Sequence, residues 1–242
     1  MTEPKLFSPL PPMEIAGELP PDQYGANPFL LYAGGDYRIG GCLPRSNAVG
    51  VVVPLQPVDK VPNLSESEWV DGESLRGYER RDVNQNGYPA CCLASLANAM
   101  ELAMVRDGRG HVALDWLRAW KKLSGGSGGV ALDDAAAFVM SEGFPRLDGL
   151  GTVKIAEAWD CETREGFASG LQRGCLGTFG HDVHAECATR MVRKNGVWYL
   201  DTRNSWGRDW GDAGWHLFPL VDMESRYSWI IIRELAYYGE AA

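Results

Sequence analysis

The sequence predicts an α+β fold in two lobes: a helical N-terminal lobe, a C-terminal lobe built on an antiparallel β-sheet, and a cleft between them. Three observations predict it. Apolar residues recur at helical spacing behind Cys91 and again through residues 112–141. From Cys175 onward the chain breaks into short β-branched and aromatic runs separated by turn residues. Among those runs lies Asn204-Ser205-Trp206-Gly207-Arg208-Asp209-Trp210-Gly211-Asp212-Ala213-Gly214-Trp215, where glycines and tryptophans alternate with polar residues. Glycine allows tight turns and indole supplies a large flat surface, so this density marks a built loop and not a generic connector.

Residues 1–60 read as a proline-rich arm, with Pro9, Pro11, Pro12, Pro20, Pro21, Pro28, Pro44, Pro54 and Pro57 along them. Proline fixes φ and removes a donor, which excludes long helices. Short extended pieces are expected at Phe29–Tyr32 and Val49–Val53, packed along the domain or on a neighbouring subunit. A folded domain is expected over residues 61–242. Within it, turn residues from Asp82 to Ala90 precede Leu93, Leu96, Ala97, Met100 and Met104 at helical spacing, which puts Cys91 at a helix N-terminus. A second helix is predicted over Val112–Lys121, with Val112, Trp116, Leu117 and Trp120 on one face. A glycine-rich loop through Gly128-Gly129 follows, then a third helix over Val130–Ser141 that stops at Gly143. Strands are predicted at Cys175–Phe179, Val183–Val192, Val197–Thr202, Trp215–Leu220 and Tyr227–Glu234, with Asn195-Gly196 as a hairpin turn.

The bulk properties exclude several classes of function. The chain has 242 residues, 45% of them hydrophobic, and a formal net charge of −9. That is enough for one good-sized core, and the acidic balance argues against nucleic acid as the main partner. No apolar run approaches the roughly 18 residues of a membrane span. The N-terminus lacks a basic segment followed by an apolar one, so the expectation is no secretory signal and a cytoplasmic or intravirion location. Six cysteines, Cys42, Cys91, Cys92, Cys161, Cys175 and Cys187, are then expected as free thiols.

The chemical residues follow from these elements. A thiol at a helix N-terminus beside an imidazolium is stabilised as thiolate, and its pKa falls by several units. A metal reading competes: Cys175, His181, His184 and Cys187 form a compact cluster of zinc-ligand types. Against it, His181 and His184 are three apart on an expected strand and would point to opposite faces. No metal or other cofactor is expected.

The order N-S-W-G-x-x-W-G-x-x-G-aromatic from Asn204 to Trp215 resembles the asparagine loop of papain-like cysteine peptidases. The resemblance runs from about Pro62 to Leu235. It implies a papain-like fold whose cleft holds the active site, with a peptide or protein as substrate. It makes Cys91 the nucleophile, with Ser95 matching a family serine and Cys92 standing where the family has tryptophan. Gln85, six residues upstream, would then be an oxyanion donor. His184, followed by Ala185 and a strand, matches the family histidine better than His181 does; His111 and His216 sit in the wrong contexts. Asn204 would orient that histidine and Trp206 would shield their hydrogen bond, while Gly128, Gly129 and Trp206 would border the substrate. Tyr88 stands where secreted members carry a disulfide cysteine, and Glu186 where the family has an apolar residue. The rival readings are a catalytically degenerate member serving a larger assembly, viral or other, through the arm, and another Cys–His hydrolase such as a cell-wall amidase or a transglutaminase-like enzyme.

Overall fold

Helix α1 (Cys91–Arg106) is buried at every position from Cys91 to Met104. Such a helix belongs in the middle of a domain and not on its surface. Its polar residues are held locally: Ser95 Oγ donates to Cys92 O at 3.0 Å. The Glu101 carboxylate accepts from Arg81, from His111 Nε2 and from the Leu114 N–H. The computed structural model that shows this describes residues 30–33, 36–39, 42–44 and 63–238. Most of the expected arm, including Val49–Val53, lies outside them. Leu30–Ala33 (β1) and Asp36–Ile39 (β2) pair antiparallel, so part of the extended reading at Phe29–Tyr32 falls on a hairpin strand.

Around α1 the helical lobe is short. Helix α2 (Trp116–Ser124) starts at Trp116 and not at Val112. The reason is local: Asp115 caps it by accepting from the Arg118 N–H at 3.0 Å, and Leu114 is held in a bridge to Arg146. Residues Val130–Ala131 form a two-residue strand, β4, so helix α3 (Leu132–Ser141) begins two positions after the predicted start. Strand β4 pairs in parallel with β3 (Cys42–Leu43), which brings a piece of the N-terminal arm against the domain.

The second lobe is a seven-stranded antiparallel sheet in the order β10-β9-β8-β7-β11-β6-β5. Its strands are β5 (Phe144–Pro145), β6 (Thr152–Asp160), β7 (Leu176–His181), β8 (His184–Lys194), β9 (Val197–Arg203), β10 (Trp215–Pro219) and β11 (Trp229–Tyr238). Helix α1 packs on β7 and β8, and helix α4 (Arg164–Gln172) packs on β7, β8 and β11. Two cores result. One holds α1, Leu117, Trp120, Leu132, Val139, Phe144, Ile155 and Ile230. The other holds Trp69, Trp159, Phe167, Phe179, Leu200, Trp229 and Ile231. The fold is therefore α+β and two-lobed. Strand β6 and helix α4 have no counterpart among the predicted elements.

Candidate active site

Cys91 is the first residue of α1, and its cap residue Ala90 has no side-chain oxygen to close off the helix's first N–H groups. The positive end of the helix therefore acts on the thiol directly. Burial alone would push the Cys91 thiol up. Hydrogen bonds with Cys92 and His184, and the charge of the imidazole, outweigh it and bring the pKa down to about 5. Burial would likewise lower the His184 pKa, but its bond to Cys91 and the charges of Cys91 and Glu186 raise it above its ordinary value. The two shifts favour a thiolate–imidazolium pair.

His184 is placed by a tight hairpin. Strands β7 and β8 are joined through Asp182 and Val183 alone, with φ of 38° and 60°. Two consecutive left-handed residues give the turn whose twist matches a β-hairpin. Valine is β-branched and strained there, by about 1–3 kcal/mol. Both of its backbone polar atoms are tied down: the N–H donates to Tyr227 Oη at 2.8 Å, and the carbonyl accepts from the Cys42 N–H at 2.9 Å. His181 and His184 are direct partners across this hairpin. The expectation that they point to opposite faces therefore fails, since a turn and not a straight strand separates them. Their rings meet edge to face, 5.9 Å apart. His181 turns its Nε2 to Glu186 at 3.1 Å, whereas His184 is the imidazole that acts on the Cys91 thiol.

The other nitrogen of the ring, His184 Nε2, lies 3.1 Å from Asn204 Oδ1. Trp206 stacks on the His184 ring, with centroids 4.4 Å apart and planes at 29°. It is buried there, covering the imidazole. Loop geometry explains the glycines. At Gly207 (φ 87°) a Cβ would lie 2.3 Å from Asn84 Nδ2, and at Gly214 (φ 87°) it would lie 2.1 Å from Arg203 Nη1. The segment before α1 is stitched to this loop by an antiparallel bridge between Asn84 and Trp206 and by the Gln85 N–H donating to Ser205 O at 2.7 Å.

Gln85 is buried beside this seam. Its Nε2 donates to Tyr88 O at 2.7 Å and its Oε1 accepts from Ser205 Oγ at 2.7 Å. In this form its amide is thus engaged on the segment leading into Cys91. Gly128 accepts from Trp120 Nε1 at 3.1 Å, and Gly129 leads into β4. The strand next to this glycine pair is occupied by the chain's own Cys42–Leu43. Cys92 donates to Val130 O at 3.3 Å and is hydrogen-bonded to Cys42. Cys42 thus fills part of the space left by a cysteine at a position where tryptophan was expected. With these neighbours in place Cys91 is 0% exposed.

Two buried charged residues complete the site, Glu186, which the sequence marks as a departure beside His184, and Arg203, which it does not mark. Glu186 is fully buried and accepts from Asn204 Nδ2 at 3.0 Å, from His181 and from His216 Nε2 at 2.5 Å. Burial would raise its carboxyl, but the His216 and His181 imidazoles hold it well below the usual range. Arg203, next to Asn204, is also fully buried and donates to Glu79 Oε1 (2.9 Å), Asp82 Oδ1 (2.7 Å) and Gly214 O (3.2 Å). Arg203's carboxylate partners lie 124 and 121 positions away in the chain. All six cysteines are free and buried. Among the described residues no group of three or more His, Cys, Asp and Glu side chains is arranged to hold a metal ion.

The chain has the fold of the papain-like cysteine proteases. Its structure matches the Amb a 11 cysteine protease of ragweed pollen in its proform (TM-score 0.53, 14% identity), covering 66% of this chain and 57% of that one. It matches procathepsin L 3 of the Tenebrio molitor larval midgut (0.56, 13%), covering 88% and 79%, and proCathepsin B S9 of Trypanosoma congolense (0.59, 13%), covering 84% and 87%. The match spans less than two thirds of each of two ragweed protease structures, 57% and 64%. At these identities the likeness is one of fold. No protein-family model and no curated protein matches the sequence.

Proposed function

We propose that this chain is a cysteine peptidase, with Cys91 as nucleophile, His184 as the proton shuttle and Asn204 as the residue that orients the ring. The observation that carries the reading is the grouping of the Cys91 thiol, held down by the His184 imidazole, with a His184 ring that faces Asn204 Oδ1 through Nε2 and is capped by Trp206. In this reading the thiolate adds to a peptide carbonyl, and the negative charge moves to the carbonyl oxygen. The Cys91 backbone N–H at the start of α1 stabilises that charge. Gln85 is the second donor, a role that requires Nε2 to share or give up its bond to Tyr88 O. The imidazolium then protonates the leaving amine, which departs and leaves a thioester. A water molecule, deprotonated by His184, attacks the thioester and releases the acid, and the thiolate returns. No cofactor enters any step.

Substrate would lie along the edge of β4 after Gly128-Gly129 and bond to Val183 O, the carbonyl just before His184. The chain's own Cys42 N–H takes that carbonyl at 2.9 Å, and Cys42–Leu43 takes the β4 edge. This supports a latent full-length chain whose arm holds the substrate stations. The functional test is labelling with a thiol-reactive epoxide, alongside hydrolysis of a mixed peptide library, in the wild-type and Cys91→Ala chains. Labelling and hydrolysis that appear once the arm is displaced, and vanish in Cys91→Ala, are expected. A folded, arm-free chain that does neither would sink the peptidase reading.

A further inference from the structure

We propose that Glu186 is a positioning residue for the Cys91–His184 pair: it fixes the Asn204 amide with its oxygen toward His184, and His181 and His216 hold Glu186 in place from behind. The proposal rests on the reading of Cys91 and His184 as a nucleophile and its base. The groups run as one chain. Cys91 and His184 act on each other electrostatically, and the ring's Nε2 faces Asn204 Oδ1. Asn204 Nδ2 donates to Glu186 Oε1 at 3.0 Å. Glu186 Oε1 also takes His181 Nε2 at 3.1 Å, and Oε2 takes His216 Nε2 at 2.5 Å.

The logic is one of donors and acceptors. A charged carboxylate can only accept, so the amide edge that faces Glu186 has to be the NH₂. The amide oxygen is then forced toward His184. An oxygen there needs a donor, so Nε2 carries a proton and Nδ1 is the nitrogen left for the thiol. Each link removes one wrong arrangement: a flipped amide, then a wrong tautomer. A neutral side chain at 186 would let the amide turn over and set NH₂ against N–H. The groups facing Glu186 come from every element around it: His181 from β7, His184 two residues earlier on β8, Asn204 after β9, and His216 from β10. Trp210 meets His216 edge to face at 4.7 Å.

The test is the titration of His184 in the full-length chain, read from the ring-proton resonances of the chain's four histidines, with His184 identified by its loss in His184→Ala. In Glu186→Gln the His184 midpoint should fall by on the order of one unit, because a nearby negative charge and an enforced acceptor are both lost. Glu186→Asp, which keeps the charge, should recover part of that shift. An unchanged midpoint in folded Glu186→Gln overturns the proposal. Should that variant fail to fold, the wild-type chain carries the test through the Glu186 carboxyl carbon. Its signal should stay in the carboxylate position throughout the pH range in which His184 titrates. A Glu186 that takes up a proton without moving the His184 resonance overturns the proposal as well. None of these measurements needs hydrolysis: a shifted midpoint together with a folded, arm-free chain that stays inactive tells against the peptidase reading alone, and an active arm-free chain without the shift tells against the role of Glu186 alone.

Discussion

Cys91 and His184 shift each other in opposite directions, and the sign of the resulting pH dependence follows. The thiol is depressed to about 5 and the imidazole is raised, so the ion pair forms as pH rises through about 5 and is lost only above the ordinary histidine range. A difference titration of thiolate ultraviolet absorbance between wild type and Cys91→Ser should show that acid midpoint. In His184→Ala the midpoint should climb above the ordinary thiol value, because burial then acts with less opposition; a midpoint left near 5 would show that the histidine is not the cause. A second residue-scale prediction concerns Arg203. Its fully buried guanidinium bonds to Glu79 and Asp82, so Arg203→Met leaves two carboxylates without that partner. Breaking a buried pair costs about 3–5 kcal/mol, which urea unfolding would register as a lower midpoint. The candidate nucleophile, its histidine and its asparagine could be read from local motifs, because each sits in a short diagnostic run. Glu186 could be read only as a departure two residues after His184, and Arg203 and the partners of both could not be read. Their partners lie up to 124 positions away, and nothing in the sequence announces the pairing.

At the scale of elements, legibility followed periodicity. Helix α1 was readable from its apolar repeat and its preceding turn residues, and its first residue is the expected one. Helix α2 was misplaced at its start because the cap, Asp115, lies inside an apolar run that continues the helical pattern upstream. Helix α4, Arg-Glu-Gly-Phe-Ala-Ser-Gly-Leu-Gln, carries two glycines and a serine, so propensity argues against it and packing decides. What holds it is close contact with the sheet. At Gly177 on β7 a Cβ would come within 2.5 Å of the Phe167 ring of α4. Gly177→Ala should therefore push Phe167 off its seat, costing about 1–3 kcal/mol. The measurement is thermal or denaturant unfolding. An unchanged midpoint would mean that the α4–sheet contact yields more easily than a close-packed core should.

For the whole molecule, the question is what one short N-terminal piece does to a site assembled by the rest of the chain. Cys42 and Leu43 extend β4, the Cys42 N–H takes Val183 O, and the Cys42 thiol reaches Cys92, next door to Cys91, the proposed nucleophile, which is 0% exposed. Two residues thus occupy the β4 edge and Val183 O, the two backbone stations proposed for an extended peptide. The sequence offered proline spacing and apolar runs in the arm, which said that it would be extended and packed on the domain or on a neighbouring subunit, and left open whether it would enter the cleft or dock elsewhere. Where it would lie depended on an acceptor carbonyl exposed by a strained turn at Val183, and local pattern does not encode that position. Removing residues 1–60 should free Val183 O and the β4 edge and uncover Cys91. Three proteins decide the matter: full length, residues 61–242, and residues 61–242 carrying Cys91→Ala, each checked for folding by circular dichroism. Iodoacetamide labelling of Cys91 and peptide hydrolysis should both be low in the first, rise in the second, and be absent in the third. Equal labelling and hydrolysis in the first two would show that Cys42–Leu43 leaves the site readily and does not restrain it. Labelling that rises without hydrolysis would mean that the arm does guard Cys91, but that uncovering it is not enough to make a peptidase.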